Sequence, residues 1–244
     1  MNPRFTIKKI SFGILVLGTL ALCIYIFVYE KPSVKNIQNT DVGIQANKKE
    51  FTIVAFGDSL TAGFGVDLKD SYPSILEDIL NESIEYKKYN VSFKVINMGV
   101  SGESSSGGLD RVDFVLEQKP NLVLIGLGAN DMLRSTDPIL VRSNMDSIVQ
   151  KIVLNKVPAI LMGMQSAAGN GREYKESFDS IYPSVAKKYN LALVPFFLEG
   201  VVLVPSLNTA DGIHPNRVGY EKIINANILP VLNQVIEKII KPKT

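Results

Sequence analysis

The chain has 244 residues, 46% of them hydrophobic and 20% charged, and its 26 basic and 24 acidic residues leave a net charge of only +2. That balance, without a dense basic patch or an aromatic ladder, leaves no electrostatic footprint for nucleic acid. A single cysteine, Cys23, and a single histidine, His214, exclude an intrachain disulfide and any cysteine- or histidine-rich metal cluster, while an all-carboxylate Mg²⁺ or Ca²⁺ site stays open.

Residues 10–29 read ISFGILVLGTLALCIYIFVY, uncharged throughout and long enough to cross a hydrocarbon layer of roughly 30 Å as a helix. Arg4, Lys8 and Lys9 precede the run, which favours a cytoplasmic N-terminus and an exported remainder, although Lys31 and Lys35 just beyond it weaken the bias. An uncleaved signal-anchor over residues 1–30 is therefore expected. The competing readings are a cleaved signal peptide, for which no small-x-small site follows Tyr29, and a lipoprotein signal at Cys23, where Leu22 holds a place that wants a small residue. Cleavage would make the protein secreted. Uninterrupted apolarity on every face argues against a buried core helix. Residues 31–50, rich in Lys, Asn and Gln and without periodicity, read as a polar linker to a domain over residues 51–244.

In that domain, apolar runs of strand length alternate with helical patterns: FTIVAF (51–56), FKVINM (93–98), LVLIGL (122–127), AILMGM (159–164) and LALVPF (191–196). Amphipathic stretches separate them, among them Ser71–Leu80 and a segment opened by Asp137-Pro138, where Asp caps and Pro fills the first turn. A long helical pattern from about Arg217 to Ile239 closes the chain. Strands so uniformly apolar are covered on both faces, which predicts a three-layer α/β/α domain around a five-stranded parallel sheet. Ligands in such sheets bind at the carboxyl ends of the strands, so the loops after the first three strands should carry the chemistry.

The first of those loops opens Gly57-Asp58-Ser59-Leu60-Thr61-Ala62-Gly63, placing a serine at a strand-to-helix turn where free N–H groups favour a developing oxyanion. The second begins at Asn97 and holds Gly99 and Gly102, either able to offer an unobstructed N–H. The third contains Gly128-Ala129-Asn130-Asp131, an amide donor at the same rim. Near the C-terminus stands Asp211-Gly212-Ile213-His214-Pro215, in which a carboxylate three residues before an imidazole can hold one ring nitrogen while the other faces Ser59. Each motif alone has a plain structural meaning: a helix cap for Asp58 or Ser59, loop backbone satisfaction for Asn130, a capped turn for Asp211. Asp58, Glu103 and Asp131 read as structural carboxylates bonding loop amides, not as metal ligands.

In their order, the blocks GDSLTAG, SGESSSGGL, GAND and DGIHP resemble those of the SGNH (GDSL) hydrolase family, and they span Gly57 to Pro215. Over residues 173–201 (EYKESFDSIYPSVAKKYNLALVPFFLEGV) the chain is most similar to bacterial thioesterase/lysophospholipase and arylesterase members. The resemblance implies a flavodoxin-like fold and a bacterial enzyme. It implies Ser59 as nucleophile, His214 as general base and acid, Asp211 as its orienter, and an oxyanion hole of the Ser59 and Gly102 N–H groups with the Asn130 side chain. Gly99 is the alternative donor. No cofactor or metal is implied, and the partner is a small acyl ester, of lipid, aryl or thioester kind. Polysaccharide O-acetylesterase and acyltransferase activities stay open on the same scaffold, and a carbohydrate- or lipid-binding module is the non-enzyme alternative. One departure stands in the loop Gln165–Gly171, where relatives often carry a proline-rich segment.

Overall fold

The computed structural model describes residues 48–241; the expected membrane span and most of the linker lie outside the described residues. Five parallel strands form one sheet in the order β2-β1-β3-β4-β5: β1 (Lys49–Gly57), β2 (Val91–Gly99), β3 (Leu122–Gly126), β4 (Ala159–Met162) and β5 (Ala192–Val194). The first strand starts at Lys49, so Lys49 and Glu50 belong to the sheet and not to the linker. The edge strand β5 is shorter than its apolar run because Pro195 has no N–H with which to continue a ladder.

The central strands are apolar because helices cover both faces. Ile53 to Phe56 of β1 and Leu122 to Ile125 of β3 are fully buried. Helix α1 (Ser59–Ala62) is a single turn; α2 (Tyr72–Glu82) follows with Pro73 in its first turn, then a short α3 (Ile84–Lys87). Next come α4 (Ser105–Glu117), the short α5 (Ala129–Leu133), α6 (Pro138–Leu154), α7 (Arg172–Asp179) and α8 (Ile181–Tyr189). Asp137 caps α6 as its sequence predicts, its side chain accepting from the Ile139 N–H. Helix α6 packs between α4 and α8, whereas α2 packs against β2 and the C-terminal helix.

That last helix is interrupted. It runs as α9 (Arg217–Ile223), a π-turn over Ile224–Ile228, and α10 (Leu229–Ile240). Pro230 cannot donate to the Ala226 carbonyl four residues back, and the widened turn makes room for its ring. The whole segment is long and apolar enough to cross a membrane, but its apolar face is spent on the domain: Ile223, Ile224, Ile228, Leu232 and Ile236 are fully buried.

Candidate active site

Sheet order places the site. From β1 the chain moves to β2 on one side and then to β3 on the other, so a crevice opens at the carboxyl ends of these three strands. Their register aligns Gly57 with Gly99 and with Gly126. The Ser59 turn α1 rests on this glycine floor: a Cβ on Gly99 would stand 2.1 Å from the Ala62 nitrogen, and one on Gly57 2.2 Å from Thr61 Oγ1. Only glycines permit so close an approach.

Ser59 is the first residue of α1. Asp58 caps the turn, Oδ1 accepting from the Leu60 N–H at 3.0 Å. This carboxyl is 1% exposed and its Oδ2 has no hydrogen-bond partner. Burial pushes its pKa up to about 7 against the pull of the Leu60 N–H, with the nearby Glu103 and Asp131 charges adding to the rise.

Ser59 Oγ lies 2.8 Å from His214 Nε2, and His214 Nδ1 lies 2.6 Å from Asp211 Oδ2. The other Asp211 oxygen accepts from the Ile213 N–H at 3.0 Å, the His214 N–H at 3.1 Å and the Thr209 hydroxyl at 2.8 Å. These donors, the Ile213 N–H foremost, hold the carboxyl well below the usual carboxylate range. An ionised carboxylate only accepts, so Nδ1 carries the ring proton and the Nε2 lone pair faces the serine hydroxyl. The Phe64 ring lies against the imidazole, centroids 4.8 Å apart.

Opposite this pair stands the loop after β2. The Gly99 N–H donates to Asn97 Oδ1 at 3.0 Å, so it is engaged, and Gly99 serves as floor. Gly102 has φ of +80°, a conformation suited to glycine, and its N–H has no acceptor among the described residues. Asn130, on α5, gives one Nδ2 hydrogen to the Glu103 carbonyl at 3.0 Å and keeps the second. Asp131 accepts from the Ser105 N–H at 2.7 Å and its hydroxyl at 2.8 Å, tying the second and third loops together, as read from sequence. Glu103 differs from that reading: its carboxylate meets the Arg111 guanidinium and no loop amide. Among the described residues no group of three or more His, Cys, Asp or Glu side chains could hold a metal ion.

Of the five residues singled out from sequence, Ser59, His214 and Asp211 form one hydrogen-bonded chain, and Asn130 bonds the backbone of Glu103, the residue after Gly102. Arg111, Thr209 and Phe64 were missed. Arg111 had a signal: it lies three residues after Gly108 and four before Val115, on the buried face of α4, where an unpaired cation would not be tolerated.

Residues 55–222 match the model of the GDSL-like Lipase/Acylhydrolase family. Esterase TesA of Pseudomonas aeruginosa is 36% identical over 186 residues, covering 76% of this chain and 89% of that protein. Thioesterase 1/protease 1/lysophospholipase L1 of Escherichia coli is 36% identical over 167 residues, 68% of this chain and 76% of the relative. Among solved structures, AlinE4, described as an SGNH-hydrolase family esterase, superposes with a TM-score of 0.62 at 38% identity, over 80% of this chain and 98% of the other.

Proposed function

We propose that this chain, which belongs to the GDSL-like lipase/acylhydrolase family and hydrolyses ester bonds, does so through a covalent acyl-enzyme on Ser59, acting on lysophospholipid, aryl or short-to-medium acyl esters and thioesters. The observation that carries the mechanism is the continuous chain Ser59 Oγ–His214–Asp211, at 2.8 and 2.6 Å. His214 Nε2 takes the hydroxyl proton as Oγ attacks the carbonyl carbon, and the carbonyl electrons move onto oxygen. The N–H groups of Ser59 and Gly102 and the second Nδ2 hydrogen of Asn130 receive that oxyanion; neither N–H has an acceptor among the described residues. The tetrahedral intermediate collapses as His214 protonates the leaving oxygen or sulfur. Water then enters by the same route and releases the acid. Asp211, ionised throughout, stabilises the imidazolium in both halves.

The substrate reading follows from what the relatives are named for and from the exposed apolar Phe64, Val100 and Leu133 along these loops. Residues 10–29 support anchoring at the outer face of a bacterial cytoplasmic membrane. Intact mass of the membrane-fraction protein tests this: a species retaining residue 1 is expected, and one beginning after residue 23 or 30 overturns the anchor.

The full-length chain and its Ser59→Ala variant should be assayed on p-nitrophenyl acetate, butyrate, octanoate and palmitate and on a lysophospholipid. Wild-type turnover with a product burst, lost by about 10⁵–10⁶-fold in the variant, is expected. Equal turnover by both proteins would remove Ser59 from the mechanism.

A further inference from the structure

The conspicuous group outside the triad is a guanidinium beneath the second loop. Arg111 projects from α4 with its side chain 17% exposed, and Glu103, its partner, is 7% exposed. Arg111 Nε donates to Glu103 Oε1 at 2.6 Å, and Nη2 bonds the second carboxylate oxygen. The other Nη2 hydrogen is shared between the Gly57 carbonyl at 3.0 Å and the Met98 carbonyl at 2.8 Å. The guanidinium carbon lies 4.6 Å from the centroid of the Phe56 ring.

Each acceptor belongs to a segment that carries an oxyanion donor. Gly57 ends β1 two residues before Ser59. Met98 stands at the end of β2, where the loop bearing Gly102 departs. Glu103 follows Gly102 directly, and its backbone carbonyl accepts from Asn130 Nδ2, fixing the plane of that amide. One planar cation therefore ties the ends of β1 and β2 to Glu103, whose carbonyl holds the Asn130 amide, and the relative placement of these segments sets the hole.

We propose that the Arg111–Glu103 pair is a positioning element of the oxyanion hole, holding the Ser59, Gly102 and Asn130 donors in one geometry; this rests on the Ser59 acyl-enzyme reading. A salt bridge at this depth is a weak source of stability, since desolvation cancels much of its attraction. What it supplies is direction, because a guanidinium fork fixes its partners in a plane. Lysine, a compact ammonium on a flexible stem, cannot reproduce the two-pronged grip on Glu103 while holding both carbonyls. Donors displaced by about 1 Å can cost ~10²-fold in rate.

The test is a double-variant cycle in the full-length chain on p-nitrophenyl butyrate, with Arg111→Lys, Asn130→Ala and the pair. Arg111→Lys should lower kcat by about 10- to 100-fold with KM within about twofold, since a donor aimed at the oxyanion acts mainly in the transition state. The double variant should fall short of the product of the single losses by at least about threefold, because both act on one amide. Fully multiplicative losses, an unchanged kcat, or a raised KM with kcat intact would each overturn the proposal. Should Arg111→Lys not fold, Glu103→Gln, which keeps the shape and removes the charge, takes its place in the same cycle with the same criteria. Failure of the underlying reading is separable, since there Ser59→Ala would turn over like wild type whatever the cycle gives.

Discussion

The two halves of the proposed site are built differently. The oxyanion half is assembled across the sheet: Arg111 reaches the Gly57 carbonyl 54 residues away, and Asp131 holds Ser105 from 26 residues away. Its polar groups are buried, with Asp58 and Asp131 each 1% exposed. The acid–base half is a local turn. Asp211 is held by donors two and three residues distant, its side chain is 35% exposed, and the turn closes through the Thr209 N–H on the His214 carbonyl at 2.8 Å. The hole is thus a property of the fold, whereas the Asp–His pair is a property of a short segment set against it. Damage to the first should cost stability and rate together; damage to the second should cost rate alone.

The sharpest separation comes from His214→Ala. Its imidazole is the base that Ser59 Oγ meets among the described residues, so kcat should fall by about 10⁵–10⁶-fold, while Tm changes by less than about 3 °C, the equivalent of roughly 1 kcal/mol in a domain of this size. A large loss of Tm, read by thermal denaturation of the purified variant, would mean that the turn is part of the core after all. Asp211→Asn should follow with about 10³–10⁴-fold in kcat, because the amide no longer enforces the Nδ1–H tautomer. Since its carboxyl is held well below the usual range, Asp211 stays ionised through mildly acid solution. The wild-type kcat/KM profile should therefore carry no limb from Asp211 between about pH 5 and 9. An acid limb in that range that disappears in Asp211→Asn would assign Asp211 a higher pKa than its donors imply.

On the fold side, the two glycines of the second loop should part company. Gly99→Ala sets a methyl against the backbone nitrogen of Ala62; overpacking of this kind costs about 1–3 kcal/mol, and because it lifts the nucleophile turn, rate should drop with Tm. Gly102→Ala meets nothing nearer than Arg134 Nη2 at 3.9 Å and keeps its N–H. Its cost is the strain of φ +80°, about 1–2 kcal/mol, with kcat reduced less than in the Gly99 variant. Parallel melting curves and kcat values decide it, and the reverse ranking would mean that the Ser59 turn does not rest on Gly99.

This difference explains what the sequence could reveal. Ser59, Asn130 and the Asp211–His214 pair were legible because each lies in a short contiguous block at the end of an apolar run or on one turn. The sheet was legible because unbroken runs such as LVLIG leave no solvated face. Gly99 and Gly102 could not be told apart, since only the register of β1 with β2 makes one of them floor. Glu103 reads from sequence as a carboxylate bonding loop amides because its partner stands eight residues on, on a helix face that periodicity alone does not orient. The π-turn had a visible cause in Pro230, but a proline inside a helical pattern does not say whether the helix stops, kinks or widens.

The smallest expected effect on rate concerns Asp58, the buried carboxyl beside Ser59. Its pKa lies at about 7 in the folded protein, above its ordinary value of 3.8. A raised carboxyl pKa means that the folded state retains a proton which the unfolded chain releases first. Its contribution to stability is therefore complete below about pH 4 and is lost as pH climbs toward 7, by on the order of 4 kcal/mol at most. Asp58→Asn removes the titration while Oδ1 still caps the Leu60 N–H. Relative to wild type, the variant should gain stability between pH 5 and 8 in urea denaturation, with kcat changing far less than for any triad substitution. A stability difference that stays flat with pH would mean that Asp58 is ionised in the fold, with Oδ2 bonded to a donor or a buried water. The oxyanion half would then carry a fixed negative charge directly beneath its nucleophile.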